Sequence, residues 1–403
     1  YSIAYLERYN ETWNFHTLFL LMLAGMNGVI VAADIFNLYL FLEISSIAGY
    51  SLVAFGTESE DLEAAFKYAI LGSLASILIL LGIALLYSYT STLAMADISF
   101  VLSRKPAGLL IGFISVLFLA GFGMKAALIP FHAWLPDAHS SAPSPVSAAL
   151  SGVFIKTLGI YAMSRVFFNI IGTSQTFLFT LMVLGIISMS AAAFLAVAQS
   201  DIKRMFAYSS ISQIGYIFLA LGINTPLALL GGLFHLFNHA IFKSLLFLSA
   251  GSIEYATGQR SLNKMGGLSK ELPVTGWASF IGSMSISGVP PFAGFFSKLM
   301  IIFAAIETRH FGFALAASFV SILTLVYYLK FQTLAFLGPR NLGLPRVKEV
   351  PLAMRVSLVA LAGICVASSL LILPAARPFF KSAADVLANG TTNYQAALLG
   401  AFK

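Results

Sequence analysis

Apolar windows of 18 residues or more recur along the whole of this chain, and that constrains its fold more than any other feature. Each window is long enough to cross a bilayer's hydrocarbon core as a helix. Inside lipid every backbone N–H and C=O must be paired within the span, which selects helices here. Eleven such spans are legible, at roughly 15–34, 35–56, 64–88, 107–129, 144–168, 176–199, 205–222, 227–251, 273–306, 312–337 and 353–374. The expected fold class is therefore an all-α polytopic membrane protein. The chain is 59% hydrophobic and only 10% charged, far from the balance of a soluble domain. No hydrophilic stretch is long enough for a separate soluble domain, which excludes a soluble enzyme. The single cysteine, Cys365, lies in an apolar run, so neither an internal disulfide nor a cysteine metal cluster is expected. The first residue is Tyr and no signal peptide is legible, so the chain is expected to begin inside a longer protein.

Two spans are interrupted by proline. "GMKAALIPFHAWLP" runs from Gly123 to Pro136, and "SGVPPFAGFFSK" from Ser287 to Lys298. Each carries a lysine at the break. Counting five spans from residue 15 and five from residue 176 makes these the fourth span of each half. Five is odd, so the second half is expected to cross the membrane inverted relative to the first. Matched broken helices in two halves point to an inverted-repeat transporter. The expected units are an N-terminal segment 1–14, a first five-helix repeat 15–168, a second repeat 176–337, and residues 338–403 as a loop, a final span and a short tail.

The net charge of +7 falls in short loops and inside spans, so it speaks of orientation and function rather than nucleic acid. Arg8, Lys203, Arg204, Arg260, Lys264, Lys270, Arg340, Arg346, Lys348 and Arg355 are read as loop charges on the side holding the N-terminus. Arg104, Lys105, Arg165, Arg309, Arg377, Lys381 and Lys403 fall on the other side. The bias places the N-terminal side in the cytoplasm and, after eleven spans, the C-terminus outside.

Six lysines lie within spans: Lys67, Lys125, Lys156, Lys243, Lys298 and Lys330. At mid-membrane each costs about 2.5–3.5 kcal/mol, so six facing lipid would cost roughly 15–20 kcal/mol. They are expected to face the bundle interior, a water-filled cavity, or an interface they can snorkel to. Lys67 and Lys330 lie near span ends. Lys67 reads either as a snorkelling lysine held by Asp61, Glu63 or a neighbouring subunit, or as part of a transport path, and Lys330 reads as snorkelling. Lys125, Lys156, Lys243 and Lys298 have apolar residues on both sides and read as functional. Glu43 reads as the only acid deep in a span, and Lys125 is its natural partner in the first half. That pair is either a switching element or a static tie between two helices.

"LFHLFNHAIFKSLLF" sets His235, His239 and Lys243 at i, i+4 and i+8. They share one helical face over about 12 Å, a spacing that suits a proton ladder. Two histidines at i, i+4 could bind zinc, but there is no H-E-x-x-H and no third ligand nearby, so no metal and no cofactor is expected. His132 and His139, beside the first break, read either as the edge of a water-filled entrance or as partners for freed backbone carbonyls.

"KAALIPFHAWLPDAHSSAPSPVSAALSG" from Lys125, "DIKRMFAYSSISQIGY" from Asp201, "LFHLFNHAIFKSLLFLSAG" from Leu233 and "SGVPPFAGFFSK" together resemble, in order, the antiporter-like subunits of respiratory complex I. "DIFNLYLFLEISSIAGYSLVAF" with "LEAAFKYAILGS" looks most like the D-type component of Mrp cation/proton antiporters, and like the matching subunit of membrane-bound hydrogenases. The resemblance covers nearly the whole chain. It implies a fourteen-helix parent whose first three helices precede this sequence, with Glu43 paired to Lys125. Lys156, His235, His239 and Lys243, and then Lys298, would continue the relay. It implies a proton-translocating membrane subunit of a multisubunit complex in a prokaryotic cell membrane, driven by redox chemistry or by sodium exchange, with other membrane subunits as partners. A structural anchor without its own ion path, or a sodium path in place of a proton path, is the alternative. The tail after the last span is too short for the long lateral helix of some family members.

Overall fold

A computed structural model describes residues 1–9, 12–105, 108–373 and 377–392. Lys403 lies outside the described residues. The helices are α1 (Thr12–Val31), α2 (Ile35–Val53), α3 (Ser59–Thr90), α4 (Met95–Arg104), α5 (Leu109–Lys125), α6 (Trp134–Ser141), α7 (Ser144–Ile171), α8 (Gln175–Ala198), α9 (Ile202–Ile223) and α10 (Pro226–Thr257). They continue as α11 (Pro273–Ser287), α12 (Ala293–Glu307), α13 (Phe311–Gln332), α14 (Leu352–Ala367) and α15 (Arg377–Ala388). Among the described residues, nine helices are long and apolar enough to cross a membrane. The shorter apolar α5 and the pair α11–α12 account for the remaining two expected spans. The fold is all-helical and multi-pass.

Both expected breaks are present. After Lys125 the chain leaves helical geometry until Trp134, and between Ser287 and Ala293 it does so again. Prolines at 130, 290 and 291 explain this, since a proline ring supplies no N–H and clashes with the preceding turn. The lysines, however, are not placed alike. Lys125 is the last residue of α5, before its break, whereas Lys298 lies in α12, after the break.

The two halves repeat in atomic detail at a spacing of 167 residues. Asp34 and Asp201 cap α2 and α9 by accepting from the backbone N–H of Asn37 and Arg204. Each aspartate also forms an isolated antiparallel bridge, with Ala94 and Ser261 respectively. Ser45 donates to the carbonyl of Met22 at 2.8 Å, and Ser212 to that of Met189 at 2.9 Å. The two 32-residue helices, α3 and α10, both end at a left-handed residue, Ser91 and Gly258. In both halves a short polar turn thus ties the start of one span to the end of another.

Burial separates a centre from a rim. The most apolar window of α9 is 94% buried and that of α7 83%, against 22–44% for α1, α2, α3, α8, α13 and α14. A rim helix presents its apolar side to lipid; a central one can carry polar groups because only protein and water meet it. Close approach is achieved with small residues, as membrane interfaces favour. A Cβ on Gly159 of α7 would lie 2.6 Å from the backbone of Ala126, and one on Gly152 would lie 2.3 Å from Ser244 Oγ of α10. So α7 is pressed against both the end of α5 and the middle of α10. Much of α7 has π-helical hydrogen bonding, over Leu150–Phe154, Lys156–Tyr161 and Arg165–Ile171. Nothing in the sequence marked this wider winding, which gathers at functional sites in other proteins.

Candidate functional site: a buried line of lysines and histidines

The line starts where α5 breaks. Lys125 Nζ lies 3.3 Å from Glu43 Oε1 and donates to Ser46 Oγ at 2.8 Å. Tyr50 Oη is 3.4 Å away. Ser76 of α3 donates a short hydrogen bond to the same Glu43 oxygen. Lys125 is buried, while about a quarter of the Glu43 side chain remains accessible. The expected pair therefore forms, but three hydroxyls that sequence reasoning missed complete it. Each ion loses several kcal/mol of hydration on burial, and such hydroxyls help offset that cost.

Lys156 follows across the Gly159–Ala126 contact. Its ammonium donates to the carbonyls of Ser151 and, at 2.6 Å, Gly152 in its own helix. Those are the residues of α7 that meet α10 and α9: Gly152 against Ser244, and Ser151 bonded to Ser210 at 2.7 Å. Lys156 therefore sits where the three central helices join.

On α10 the ladder forms as its spacing predicts. The rings of His235 and His239 lie 6.3 Å apart. Lys243 donates to the carbonyl of Phe206 at 2.6 Å and to Tyr328 Oη at 3.3 Å. His235 Nδ1 shares a 2.9 Å hydrogen bond with Ser297, the neighbour in sequence of Lys298. Lys298 then reaches back over its break and donates to the carbonyl of Ile286 at 2.8 Å. So although Lys298 belongs to the later half-helix, its charge lies at the end of the earlier one, as the charge of Lys125 does.

Lys156, Lys243 and Lys298 have no carboxylate partner among the described residues. Both ring nitrogens of His239, Nε2 of His235 and the amide of Asn238 are buried without a protein hydrogen-bond partner. Buried polar atoms are satisfied by protein or by ordered water. This segment of α10 is thus suited to a short water chain. Nitrogen bases held in this way by carbonyls and hydroxyls are a set that can exchange protons.

The chain matches the family described as NADH:quinone oxidoreductase/Mrp antiporter, TM over residues 32–324. It belongs to this family. It is 38% identical over 332 residues to the D component of the Na(+)/H(+) antiporter of Alkalihalophilus pseudofirmus, covering 82% of this chain and 67% of that one. It is 39% identical over 339 residues to the N component of the NADH-quinone oxidoreductase of Desulforudis audaxviator, covering 83% and 66%. The chain thus spans about two thirds of the length of these curated relatives. Among solved structures it superposes on a chain of the Mrp complex from Dietzia sp. with a TM-score of 0.87 at 30% identity, covering 94% of this chain and 79% of that chain. A chain of the archaeal membrane-bound sulfane sulfur reductase gives a TM-score of 0.85 at 33% identity, covering 94% and 77%. As an antiporter-like membrane subunit, the protein shares its fold with members of multisubunit membrane complexes.

The remaining lysines and histidines of this antiporter-like protein fall into clear groups. Lys67 pairs with Glu63 at 2.7 Å and with Asp137 at 3.0 Å, near the surface. Asp61, an expected partner, instead accepts from the backbone of Glu58 at the start of its own helix. Lys330 donates to the carbonyls of Val197 and Gln199, both at 2.9 Å, closing the end of α8. His132 lies in the first break. His139 is fully buried against Phe247, with ring centroids 4.7 Å apart. Lys203, read from sequence as a loop charge, is buried in the first turn of α9. It pairs with Glu254, a second acid inside a long helix. The reason is the tight polar turn before α9, which starts the helix inside the bundle.

Proposed function

We propose that this chain is the proton-translocating, antiporter-like subunit of a multisubunit ion-pumping complex in a prokaryotic cell membrane, with its N-terminal side in the cytoplasm. The relay is Glu43, Lys125, Lys156, His239 with Lys243 and His235, then Lys298. The division into repeats 15–168 and 176–337 belongs to the same reading. The single observation that carries it is the run of buried nitrogen bases across four packed helices, α5, α7, α10 and α12, in which, among the described residues, only the first base has a carboxylate.

While Glu43 lies against Lys125, it compensates the buried ammonium. Drawing Glu43 away from Lys125 leaves that charge uncompensated, and passing the proton to Lys156 removes the cost. The broken helices make room for water and free backbone carbonyls where a continuous helix would seal the path. The push comes from neighbouring subunits, by redox chemistry or by sodium exchange. The relatives' names, one from a sodium/proton antiporter and one from a quinone oxidoreductase, support both kinds of coupling. Co-purifying subunits tell them apart: an iron–sulfur or nickel–iron partner means redox drive.

The test is Lys125→Ala in the assembled complex, with proton uptake followed in vesicles. Loss of uptake with assembly intact is the expected result. Normal uptake would leave a structural anchor as the reading.

A further inference from the structure

The relay needs a way in, and the structure holds a second buried polar group outside it. Lys203 Nζ donates to the carbonyl of Ala142 at 3.0 Å and lies 3.1 Å from Glu254 Oε2. Lys203 is buried, whereas about a quarter of the Glu254 side chain is accessible. Outside Glu254 stands Arg260, 3.9 Å from its other oxygen and 3.5 Å from Asp201. On the other side of Lys203, His139 lies three residues before Ala142, whose carbonyl holds Lys203. Both ring nitrogens of His139 are buried without a protein hydrogen-bond partner. Lys243, Lys203 and Lys156 are the lysines close enough to act on it electrostatically.

The aromatic packing connects the same groups. His139 stacks on Phe247, and Lys243 Nζ lies 5.8 Å from the centre of that ring. Phe206, whose carbonyl accepts from Lys243, is one helical turn after Lys203 and meets Phe247 edge-on. Glu254, Lys203, His139 and Lys243 therefore lie in order from an accessible face to the buried line. Residues 1–9 cover the same end of α10: Tyr1 Oη donates to the carbonyl of Leu248, and Tyr5 packs on Tyr255.

We infer that Glu254, Lys203 and His139 form a proton inlet that feeds Lys243 from the face carrying residues 1–9. This rests on the proton-relay reading above. A proton from water first binds the Glu254 carboxylate and neutralises it. The carboxyl then gives that proton, through water, to a ring nitrogen of His139, and the carboxylate is restored. The imidazolium passes the proton to the neutral amine of Lys243 and returns to imidazole. Lys203 remains an ammonium throughout. Fixed on Ala142, it repels other cations, and only a group as small as a proton, handed on by Glu254, passes it.

The test uses the intact complex in membrane vesicles, with proton uptake measured for Glu254→Gln, Glu254→Asp, His139→Phe and Lys125→Ala. His139→Phe keeps a ring on Phe247 without a titratable nitrogen. Uptake is expected to fall at least about tenfold in Glu254→Gln and His139→Phe. It should largely recover in Glu254→Asp, with the complex assembled in all three. Normal uptake in Glu254→Gln overturns the inlet, and so does equal loss in Glu254→Asp and Glu254→Gln. Should His139→Phe disperse the complex, the Glu254 pair decides alone, because that side chain is partly accessible. Loss in Lys125→Ala beside normal uptake in the inlet variants removes the inlet and leaves the relay; normal uptake in all removes both.

Discussion

Glu43 Oε1 receives two donors at once, Lys125 Nζ at 3.3 Å and the hydroxyl of Ser76. Counting 167 residues along, the position of Ser76 is occupied by Lys243 and that of Glu43 by Ser210. The acid and hydroxyl of the first half are thus replaced by a hydroxyl and a lysine in the second. This asymmetry makes Glu43 the group whose movement can change the charge balance of the line.

Glu43→Gln keeps the shape and the hydrogen bond from Ser76 but removes the compensating charge. Proton uptake should fall by about a hundredfold, the lower end of what a positioned proton-transferring group contributes, while the complex still assembles. Vesicle uptake, with the stoichiometry of the complex checked on a gel, reads both. Normal uptake would make the pair a static tie.

Lys298 and Lys330 test the proposed distinction between a relay lysine and a capping one. Lys298→Met removes a buried base held by the Ile286 carbonyl, so uptake should be lost with little change in thermal stability. Lys330→Met strips two donors from the end of α8 and should cost roughly 1–2 kcal/mol of stability while leaving uptake intact. The same pair of measurements on both variants decides the assignment, and a reversed pattern would sink it.

Gly159, one turn after Lys156, packs on Ala126, the neighbour in sequence of Lys125. A valine there would drive carbon into the backbone of Ala126, so Gly159→Val should cost at least about 1–3 kcal/mol, the usual penalty of overpacking. It should also slow uptake. At Gly363 of α14 a Cβ would meet nothing within 4 Å, so Gly363→Ala should be neutral or slightly stabilising. Thermal transitions of the detergent-solubilised protein give the comparison.

The loop before α14 carries a pH-dependent tie. Glu271 accepts from the backbone N–H of Val347 at 2.9 Å and from Arg340 at 2.8 Å. First the amide and then the guanidinium hold its carboxyl below the ordinary value of 4.5. A depressed carboxyl stabilises the folded loop above its unfolded value and loses that contribution as pH falls through the lower, folded one. Protease cleavage between residues 338 and 351 should therefore accelerate as pH drops below 4.5. Arg340→Ala should move the onset to higher pH; an unmoved onset would show that the arginine contributes nothing.

Much of the site was legible because lipid penalises charge. A lysine inside an apolar window must have a reason, and that argument alone selected Lys125, Lys156, Lys243 and Lys298, while helical periodicity set His235 and His239 on one face. The same argument was blind to Lys203, which stands beside Arg204 and looks like a loop charge until the turn before α9 is seen to start inside the bundle. Ser46, Ser76 and Tyr50 were equally invisible, since hydroxyls are cheap in helices and carry no positional signal.

Apolar window length determined the number of spans, and proline placed both breaks, because these are properties of local chain and solvent. Which lysine has a carboxylate, how Lys298 reaches over its break, and where His139 meets Phe247 were decided only in three dimensions. They depend on which helix faces lie together. In this protein glycines on a π-wound α7 set that meeting, through contacts between residues far apart in sequence.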